Sequence, residues 1–341
     1  MSVTALQYSL APMAGYTDLP FRRMCRRFGL HYAHTPLITA GALVYGNPDA
    51  NQTLYRGDDE PYLAAQLLGS VPADIKKAAA MLSRMHFDAI DFNMGCPVRK
   101  VIKTKAGAAM MRYQENALLC LKIIRESTEA PVTVKTRILS ENDPEPSVEF
   151  CLALQSLGID AITIHGRLAE KVYSGPVASH IIRAISENLR IPVCANGGVF
   201  TAAQALQLAN DSACKRIMIA RGAIGNPWLF HELVHGQPYL PSHEEVCEIM
   251  HEHLDGIRQL YGERKGMILG RKIVQGYLTG RGYRRNLRDQ ATKISTWGQF
   301  REFHSLVLAS PPGNNFLNPQ ITQIAQMNAD ISSASEIKDQ I

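Results

Sequence analysis

The chain has 341 residues, 46% of them hydrophobic and 20% charged, with a formal net charge of +5. This composition is typical of a soluble globular protein with one large domain and a smaller one. No apolar run is long enough to cross a bilayer, and the first residues carry neither a basic segment nor a signal-peptide core. The seven cysteines lie singly, without CxxC pairs, which argues against a disulfide framework and a structural zinc site. We therefore expect a cytoplasmic protein.

Strand-like and helical segments alternate over most of the chain. Eight β-type runs, most of them followed by a helical stretch, lie at 8–13, 31–37, 62–69, 89–95, 132–137, 161–167, 191–198 and 216–222. Such alternation predicts right-handed crossovers and a parallel sheet. Eight units in roughly 230 residues match a (β/α)8 TIM barrel. An open doubly wound sheet is the alternative, but no GxGxxG motif follows the first strand.

The pattern changes after Phe230. Residues 241–309 show helical spacing of apolar side chains and no further strand-like run. The last stretch is rich in Asn, Gln and Ser. We therefore predict an α/β barrel over residues 1–238, a small all-helical domain over 239–310 and a polar tail over 311–341.

Polar residues fall where the predicted strands end, which is where barrels of this kind place their chemistry. They are Met13, Gln66, Asn93, Cys96, Lys135, Arg137, His165, Arg167, Asn196 and Arg221. The loops after the last two strands commonly bind phosphate through backbone N–H groups. Gly197, Gly198 and Gly222 allow close backbone approach there, and Arg221 adds a positive charge. The site therefore suits a phosphorylated cofactor.

Cys96 is the most informative of these residues. It stands between Gly95 and Pro97 at the end of a strand, so its sulfur is presented at a sheet edge on a restricted backbone. The alternative is a small apolar residue in the core. Lys135 is harder to explain structurally, because buried lysines are rare without a partner. A structural histidine remains the alternative for His165, and a bridge between strands for Gln66.

Five ordered motifs together carry a family resemblance. They are LAPMAGYTD at 10–18, NMGCP at 93–97, VKTR at 134–137, IHGR at 164–167 and ANGG at 195–198. From about residue 8 to residue 290, in this order, the chain resembles the tRNA-dihydrouridine synthase family. The resemblance implies FMN in the barrel mouth, NADPH as reductant and uridine in tRNA as substrate.

The resemblance also implies roles for individual residues. Cys96 is expected to be catalytic, giving a proton to the uracil ring while the flavin gives a hydride. The residues expected to bind the cofactor are Pro12, Met13, Ala14, Gln66, Lys135, His165, Asn196, Gly197, Gly198, Ala220 and Arg221. The residues expected to bind the RNA are Asn93, Arg99, Lys103, Lys105, Arg167, Arg271 and Lys272. We expect no metal and a monomeric protein.

Three basic clusters support an RNA partner. The first holds Arg22, Arg23, Arg26 and Arg27, and the second holds Arg99, Lys100, Lys103 and Lys105. The third holds Arg264, Lys265, Arg271, Lys272, Arg281, Arg284, Arg285 and Arg288, with Tyr277 and Tyr283 available to stack on a base. The alternative for the first and third clusters is a solvated helix face.

Other functions compete with this interpretation. An FMN barrel acting on a free pyrimidine or another small substrate is one, although such an enzyme needs no basic helical domain. A dihydrouridine synthase acting on ribosomal RNA is another. An RNA-binding module with little catalysis would not need Cys96, Lys135 and His165. A metal-dependent aldolase is disfavoured, since no cluster of carboxylates and histidines lies at the strand ends.

Overall fold

The structure, a computed structural model, describes residues 6–313, which form nine strands and fourteen α-helices. The strands are β1 Gln7–Leu10, β2 Tyr32–His34, β3 Ile38–Thr39, β4 Tyr62–Leu68, β5 Ala89–Met94, β6 Val132–Arg137, β7 Ala161–His165, β8 Val193–Asn196 and β9 Arg216–Ile219. The helices are α1 Leu19–Arg27, α2 Ala40–Val44, α3 Asp49–Thr53, α4 Pro72–Leu82, α5 Arg99–Lys103, α6 Gln114–Glu126, α7 Glu145–Ser156, α8 Ser179–Asn188, α9 Ala202–Ser212, α10 Leu229–His235, α11 His243–Tyr261, α12 Glu263–Leu278, α13 Arg285–Ala291 and α14 Trp297–Leu308. Two short 3₁₀ helices cover Gly107–Met111 and Arg221–Ala223.

Eight of the strands in the described chain close into a parallel barrel. Around the barrel the order is β1, β2, β4, β5, β6, β7, β8 and β9, and β9 pairs with β1. The two-residue strand β3 pairs beside the end of β4 and stands outside this circuit. The predicted (β/α)8 fold is therefore confirmed, and each of the eight predicted runs overlaps one barrel strand. Several runs extended past the true strand end, because the residues that leave the sheet there are still apolar or small.

Alternation along the strands decides which side chains face the barrel interior. On β5, Asp91 and Asn93 lie on one face, while Ile90 and Phe92 lie on the other, towards the helices. The register sets Asn93 opposite Lys135 on β6. Polar side chains of neighbouring strands are thus brought together inside the barrel, and the apolar core lies between the barrel and its helices.

The described residues divide into two compact units. The first comprises residues 6–19, 30–199 and 203–220 and holds all the strands. The second comprises residues 20–29, 200–202 and 221–313 and is helical. The predicted domain limits stay a prediction, and residues 314–341 of the predicted tail lie outside the described residues.

The helical unit contains the predicted helices of residues 241–309 as α11 to α14. Ser242 and Thr296 begin α11 and α14, each accepting a hydrogen bond from a backbone N–H of the first turn. The helices α11 and α12 pack closely where Gly270 lies against Leu254, since a Cβ there would approach a Leu254 methyl to 2.2 Å. Among the described helices, none is long and apolar enough to cross a membrane.

Candidate active site

The backbone around Cys96 is held from two sides. The N–H groups of Gly95 and Cys96 donate to Asn93 Oδ1 at 3.1 and 3.0 Å. The Cys96 carbonyl accepts from the N–H of Ala108 at 3.0 Å. Gly107 lies directly against this carbonyl with φ +59°, and a Cβ there would stand 2.7 Å from the Cys96 oxygen. The strand end thus fixes the position from which the thiol emerges.

Cys96 is the half-buried cysteine of the chain, and the other six are buried. Burial raises the pKa of the Cys96 thiol, and a hydrogen bond from the Val98 backbone and the Arg137 guanidinium oppose part of that rise. The thiol is therefore protonated near neutral pH and can act as a proton donor. Burial raises the pKa of Cys194, inside the barrel, to about 12.

A chain of side-chain hydrogen bonds leads from Asn93, which binds the Cys96 peptide, into the barrel interior. Asn93 Nδ2 donates to Gln66 Oε1 at 2.8 Å, and Gln66 Nε2 donates to Asp91 Oδ2 at 2.7 Å. Thr133 Oγ1 donates to the other Asp91 oxygen at 2.6 Å. Gln66 is 0% exposed, so the amide that the sequence assigned to the cofactor also serves this internal chain.

Lys135 brings a positive charge to the interior of the barrel. Its Nζ donates to Asn196 Oδ1 at 2.9 Å, and Asn196 Nδ2 donates to the Met218 carbonyl at 2.8 Å. Burial, and then the nearby Arg137, lower the pKa of Lys135 to about 8, against an opposing effect of Asp91. The amine is therefore largely protonated at pH 7. A cation held here with N–H groups to spare suits an electron-rich ring or carbonyl oxygen.

His165 and Arg167 lie together at the end of β7. Arg167 Nη1 is 3.4 Å from His165 Nε2, and Arg167 Nε donates to the Gly175 carbonyl at 2.9 Å. Both side chains are buried. Arg167, which the sequence assigned to RNA, is thus engaged inside the loop that follows β7.

The glycine pair after β8 permits a close approach to this histidine. Gly197 has φ +126°, and a Cβ at this position would lie 2.9 Å from His165 Cδ2. Gly198 also has a positive φ, +70°. The backbone of Gly197 can therefore lie close to His165 only because this residue carries no side chain.

Small and apolar residues form the floor of the barrel. Ala11, Cys194 and Met218 pack together, and Met13 and Ala220 lie half-buried against them. The turn after β1 is held by Thr17, whose Oγ1 accepts from the Met13 N–H and donates to the Met13 carbonyl. Pro12 is half-buried and Ala14 is exposed in this turn. In the helical unit, the guanidinium of Arg221 lies 5.4 Å from the centroid of the Phe200 ring.

The second basic cluster is a surface feature. None of the residues of the five-residue helix α5 is buried, and Arg99, Lys103 and Lys105 are exposed. Lys105 has φ +58°, and its Nζ lies 5.2 Å from the centroid of the exposed Tyr113 ring. The loop after Cys96 thus carries positive charge and an aromatic ring, as RNA recognition requires.

The third cluster is only partly a surface. Arg271 and Lys272 are half-buried on α12, and Arg271 Nε donates to the Ile294 carbonyl at 2.6 Å. Arg281 is 1% exposed and stacks 4.7 Å from the Trp228 ring centroid, so its inclusion among surface charges is wrong.

The expected stacking tyrosines of this cluster are also wrong. Tyr277 is 0% exposed and Tyr283 is 6% exposed, so neither can stack on a base. Each hydroxyl is bonded to a histidine, His253 for Tyr277 and His243 for Tyr283. These rings belong to the core of the helical unit. For Tyr277 the available signal was its helical spacing with the apolar residues of α12, whereas Tyr283 lies between α12 and α13.

The first cluster does not form a continuous basic face. Arg22 on α1 is 0% exposed, and Arg27 forms an ion pair with Glu252 at 2.7 Å and with Glu248 at 3.8 Å. Arg22 is therefore part neither of an RNA-binding surface nor of a solvated helix face, and both interpretations are wrong for it. The solvated-face interpretation fits Arg27, which is exposed and paired with carboxylates.

Arg137 is a site residue that the assignment from sequence left out. Its Nε donates to the Gly95 carbonyl at 2.7 Å, and Nη1 donates to the Val172 carbonyl at 3.0 Å. It thereby joins the loop that carries Cys96 to the loop after β7. Its place two residues after Lys135 on β6, and so on the same face, was the available signal. Within residues 6–313 no group of three metal-binding side chains occurs.

Comparison with known proteins gives consistent matches along the chain. A sequence model of the family described as "Dihydrouridine synthase (Dus)" matches residues 9–308. The chain is 34% identical over 276 residues to tRNA-dihydrouridine synthase B of Pasteurella multocida (strain Pm70), covering 80% of this chain and 83% of that protein. It is 32% identical over 294 residues to tRNA-dihydrouridine synthase B of Pseudomonas aeruginosa, covering 84% and 87%. A probable tRNA-dihydrouridine synthase of Rhodobacter capsulatus is 33% identical over 279 residues, covering 79% and 85%.

A solved structure shares the fold. Histamine dehydrogenase from Rhizobium sp. 4-9 superimposes with a TM-score of 0.52 at 14% identity, covering 79% of this chain and 49% of that chain. At this identity the likeness concerns the barrel fold alone.

Proposed function

The chain belongs to the dihydrouridine synthase family, and on that premise we propose that it reduces uridines in tRNA to 5,6-dihydrouridine. FMN is the proposed cofactor and NADPH the proposed reductant. The observation that carries the proposal is the half-buried thiol of Cys96 just after β5, with the half-buried amine of Lys135 on the neighbouring strand β6. A proton donor beside a site for an electron-rich ring is the pair of groups that this reduction needs.

The residues of the barrel interior fit FMN. When bound, FMN supplies the hydride for the uracil ring. Lys135 and Asn196 would hold the ring, with Met13 and Ala220 against its face and Pro12 and Ala14 in the adjoining turn. Gln66 retains one amide N–H beyond its bond to Asp91 and would offer it to a ring carbonyl.

The phosphate of the cofactor would bind near His165. The backbone of Gly197 and Gly198 can approach an anion there. Arg221 belongs to the helical unit, and its cofactor role stays a prediction. This assignment rests on the residue types and on the backbone conformations after β8.

Cys96 would complete the reduction by proton transfer. Its thiol gives one proton to the ring carbon that does not receive the hydride, and the resulting thiolate takes a proton back from solvent. The guanidinium of Arg137 favours the thiolate form and so eases the transfer without deprotonating the resting thiol. Asn93 is the proposed partner of the target base, through the second N–H of its amide.

The RNA would be bound through exposed positive charge. Arg99, Lys103 and Lys105 lie on the loop that begins at Cys96. Their side chains would therefore bind RNA phosphates on the same loop that carries the proton donor. Arg271 and Lys272 of α12, and Arg167, are further proposed contacts. A free pyrimidine would make no use of the α5 charges, which favours a nucleic acid over a small substrate.

The test is the formation of dihydrouridine in unmodified tRNA transcript by purified protein with FMN and NADPH. We expect product from the wild type and from Cys120→Ala, a buried cysteine on α6, but little or none from Cys96→Ala. Ribosomal RNA fragments and free uracil are assayed beside the tRNA. Reduction of either one in preference to tRNA would contradict the proposed substrate. A protein that binds no FMN would overturn the whole proposal.

A further inference from the structure

Asp91 is a buried carboxylate for which the proposed chemistry has no use. It is 1% exposed, and its two oxygens accept from Gln66 Nε2 and Thr133 Oγ1. A buried charge costs stability even when it is hydrogen-bonded, and an apolar residue would fill the same place more cheaply. The contacts of Asp91 indicate what this carboxylate does.

The carboxylate determines the orientation of two amides in succession. Since a carboxylate only accepts, Gln66 must turn its NH₂ group to Asp91 and its oxygen to Asn93. Asn93 must then donate to Gln66, which leaves its own oxygen free for the peptide that follows. That oxygen accepts from the N–H groups of Gly95 and Cys96. With Asn93 reversed, its NH₂ group would face the N–H groups of Gly95 and Cys96. With Gln66 alone reversed, its NH₂ group would face that of Asn93 and its oxygen would face the Asp91 carboxylate.

We propose that Asp91 is a positioning residue for Cys96: through Gln66 and Asn93 it keeps an acceptor beneath the Cys96 peptide and so holds the thiol at its place. The importance of that place rests on the proposed function, whereas the positioning itself does not. The hydrogen bonds of Asp91 run to Gln66 and Thr133 inside the barrel. Asp91 does not contact the reacting atoms.

A second effect of Asp91 must be separated from the first. Asp91 also opposes the burial that lowers the pKa of His34 and of Lys135. Asp91→Asn therefore changes the charge near Lys135 as well as the orientation of Gln66. Gln66→Met leaves the carboxylate in place and removes the link, since methionine has a similar length and no amide. It also removes the N–H proposed for a flavin carbonyl, and FMN is therefore kept in excess in the test below. Thr133→Val removes the other hydrogen bond to Asp91 and leaves the link intact, which makes it the matched control.

The experiment measures alkylation of Cys96 by iodoacetamide as a function of pH, with the modified residue identified by mass spectrometry. The full-length protein is used with FMN in excess in every sample, so that the cofactor shields each variant equally. For Asp91→Asn and for Gln66→Met we expect alkylation roughly three- to tenfold faster at pH 7.5, with a lower pH midpoint, because a released thiol is less buried. The double variant should be no faster than either single one, and Thr133→Val should match the wild type.

Several results would overturn the inference. It would be contradicted if Gln66→Met left the alkylation rate of Cys96 unchanged, or if the effects of the two single variants added in the double variant. It would also be contradicted if Thr133→Val raised the rate as much as Gln66→Met does. Should Asp91→Asn fail to fold, the comparison of Gln66→Met with Thr133→Val still decides. Alkylation needs neither RNA nor NADPH. A protein that shows the expected alkylation pattern but reduces no uridine would therefore contradict the proposed function and leave the positioning role standing.

Discussion

Replacing Gly107 with alanine would press directly on the peptide that carries Cys96. The added Cβ would lie 2.7 Å from the Cys96 oxygen and 2.8 Å from Val101 Cγ1, at a backbone φ of +59°. The left-handed conformation alone costs an alanine about 1 kcal/mol. Moving the Cys96 carbonyl or the loop aside adds about 1–3 kcal/mol, as overpacking does elsewhere. We therefore expect a loss of about 2–4 kcal/mol in the free energy of unfolding.

Gly158 offers a matched control for this substitution. It follows α7 with φ +77°, and a Cβ there would have nothing within 4 Å. Gly158→Ala should therefore lose only the conformational part, about 1 kcal/mol. The two variants are compared by urea unfolding, and by dihydrouridine formation at saturating FMN. Activity should fall about tenfold or more in Gly107→Ala alone, because a small shift of the thiol misplaces its proton. Equal losses in both variants would show that the contact with Cys96 is not what Gly107 provides.

Three further predictions concern the charged side chains. Because the pKa of Lys135 is lowered from 10.5 to about 8, its amine loses its charge as the pH rises through 8. FMN should therefore bind more weakly at pH 9 than at pH 7 in a flavin fluorescence titration. Lys135→Met should remove this pH dependence. The double substitution Lys103→Ala, Lys105→Ala should reduce the slope of log K for tRNA against log salt by about 2, and Lys122→Ala, exposed on α6, should leave it unchanged. Arg281→Met should change the free energy of unfolding by less than about 1 kcal/mol or raise it, because the guanidinium is buried and its Nε and Nη1 have no hydrogen-bond partner among the described residues. The variant should leave tRNA binding intact. A steep loss of tRNA affinity in Arg281→Met would contradict its assignment to the core.

Much of the fold could be predicted because its signals are local. The apolar runs of parallel strands, each followed by a helix, can be recognised from consecutive residues. The rule that crossover connections are right-handed leaves few ways to connect them. The side-chain period of two on a strand likewise places Asn93 on the same face as Asp91, and Lys135 on the same face as Arg137, from the sequence alone. The candidate site could be predicted to this extent because strand ends meet at one edge of a barrel.

The strand limits and the exposed charges were harder to predict. Ala220, which follows the end of β9 at Ile219, is still apolar, so composition alone does not mark where strand pairing stops. Arg281 and Tyr277 looked like surface residues of a basic helix, since their types are usually exposed or amphipathic. Their burial depends on Trp228 and His253, which lie far away in sequence.

The sequence by itself determined the barrel, the helical region after it, and the thiol and amine that the proposed reaction needs. Only the tertiary structure decided which amide atoms of Gln66 and Asn93 face one another, and that Gly107 lies against the Cys96 carbonyl. The physical reason is one of range. Periodicity and turn chemistry act within a few residues along the chain. A hydrogen-bond partner across strands depends on register, and a van der Waals contact depends on the packing of segments that only the folded chain brings together.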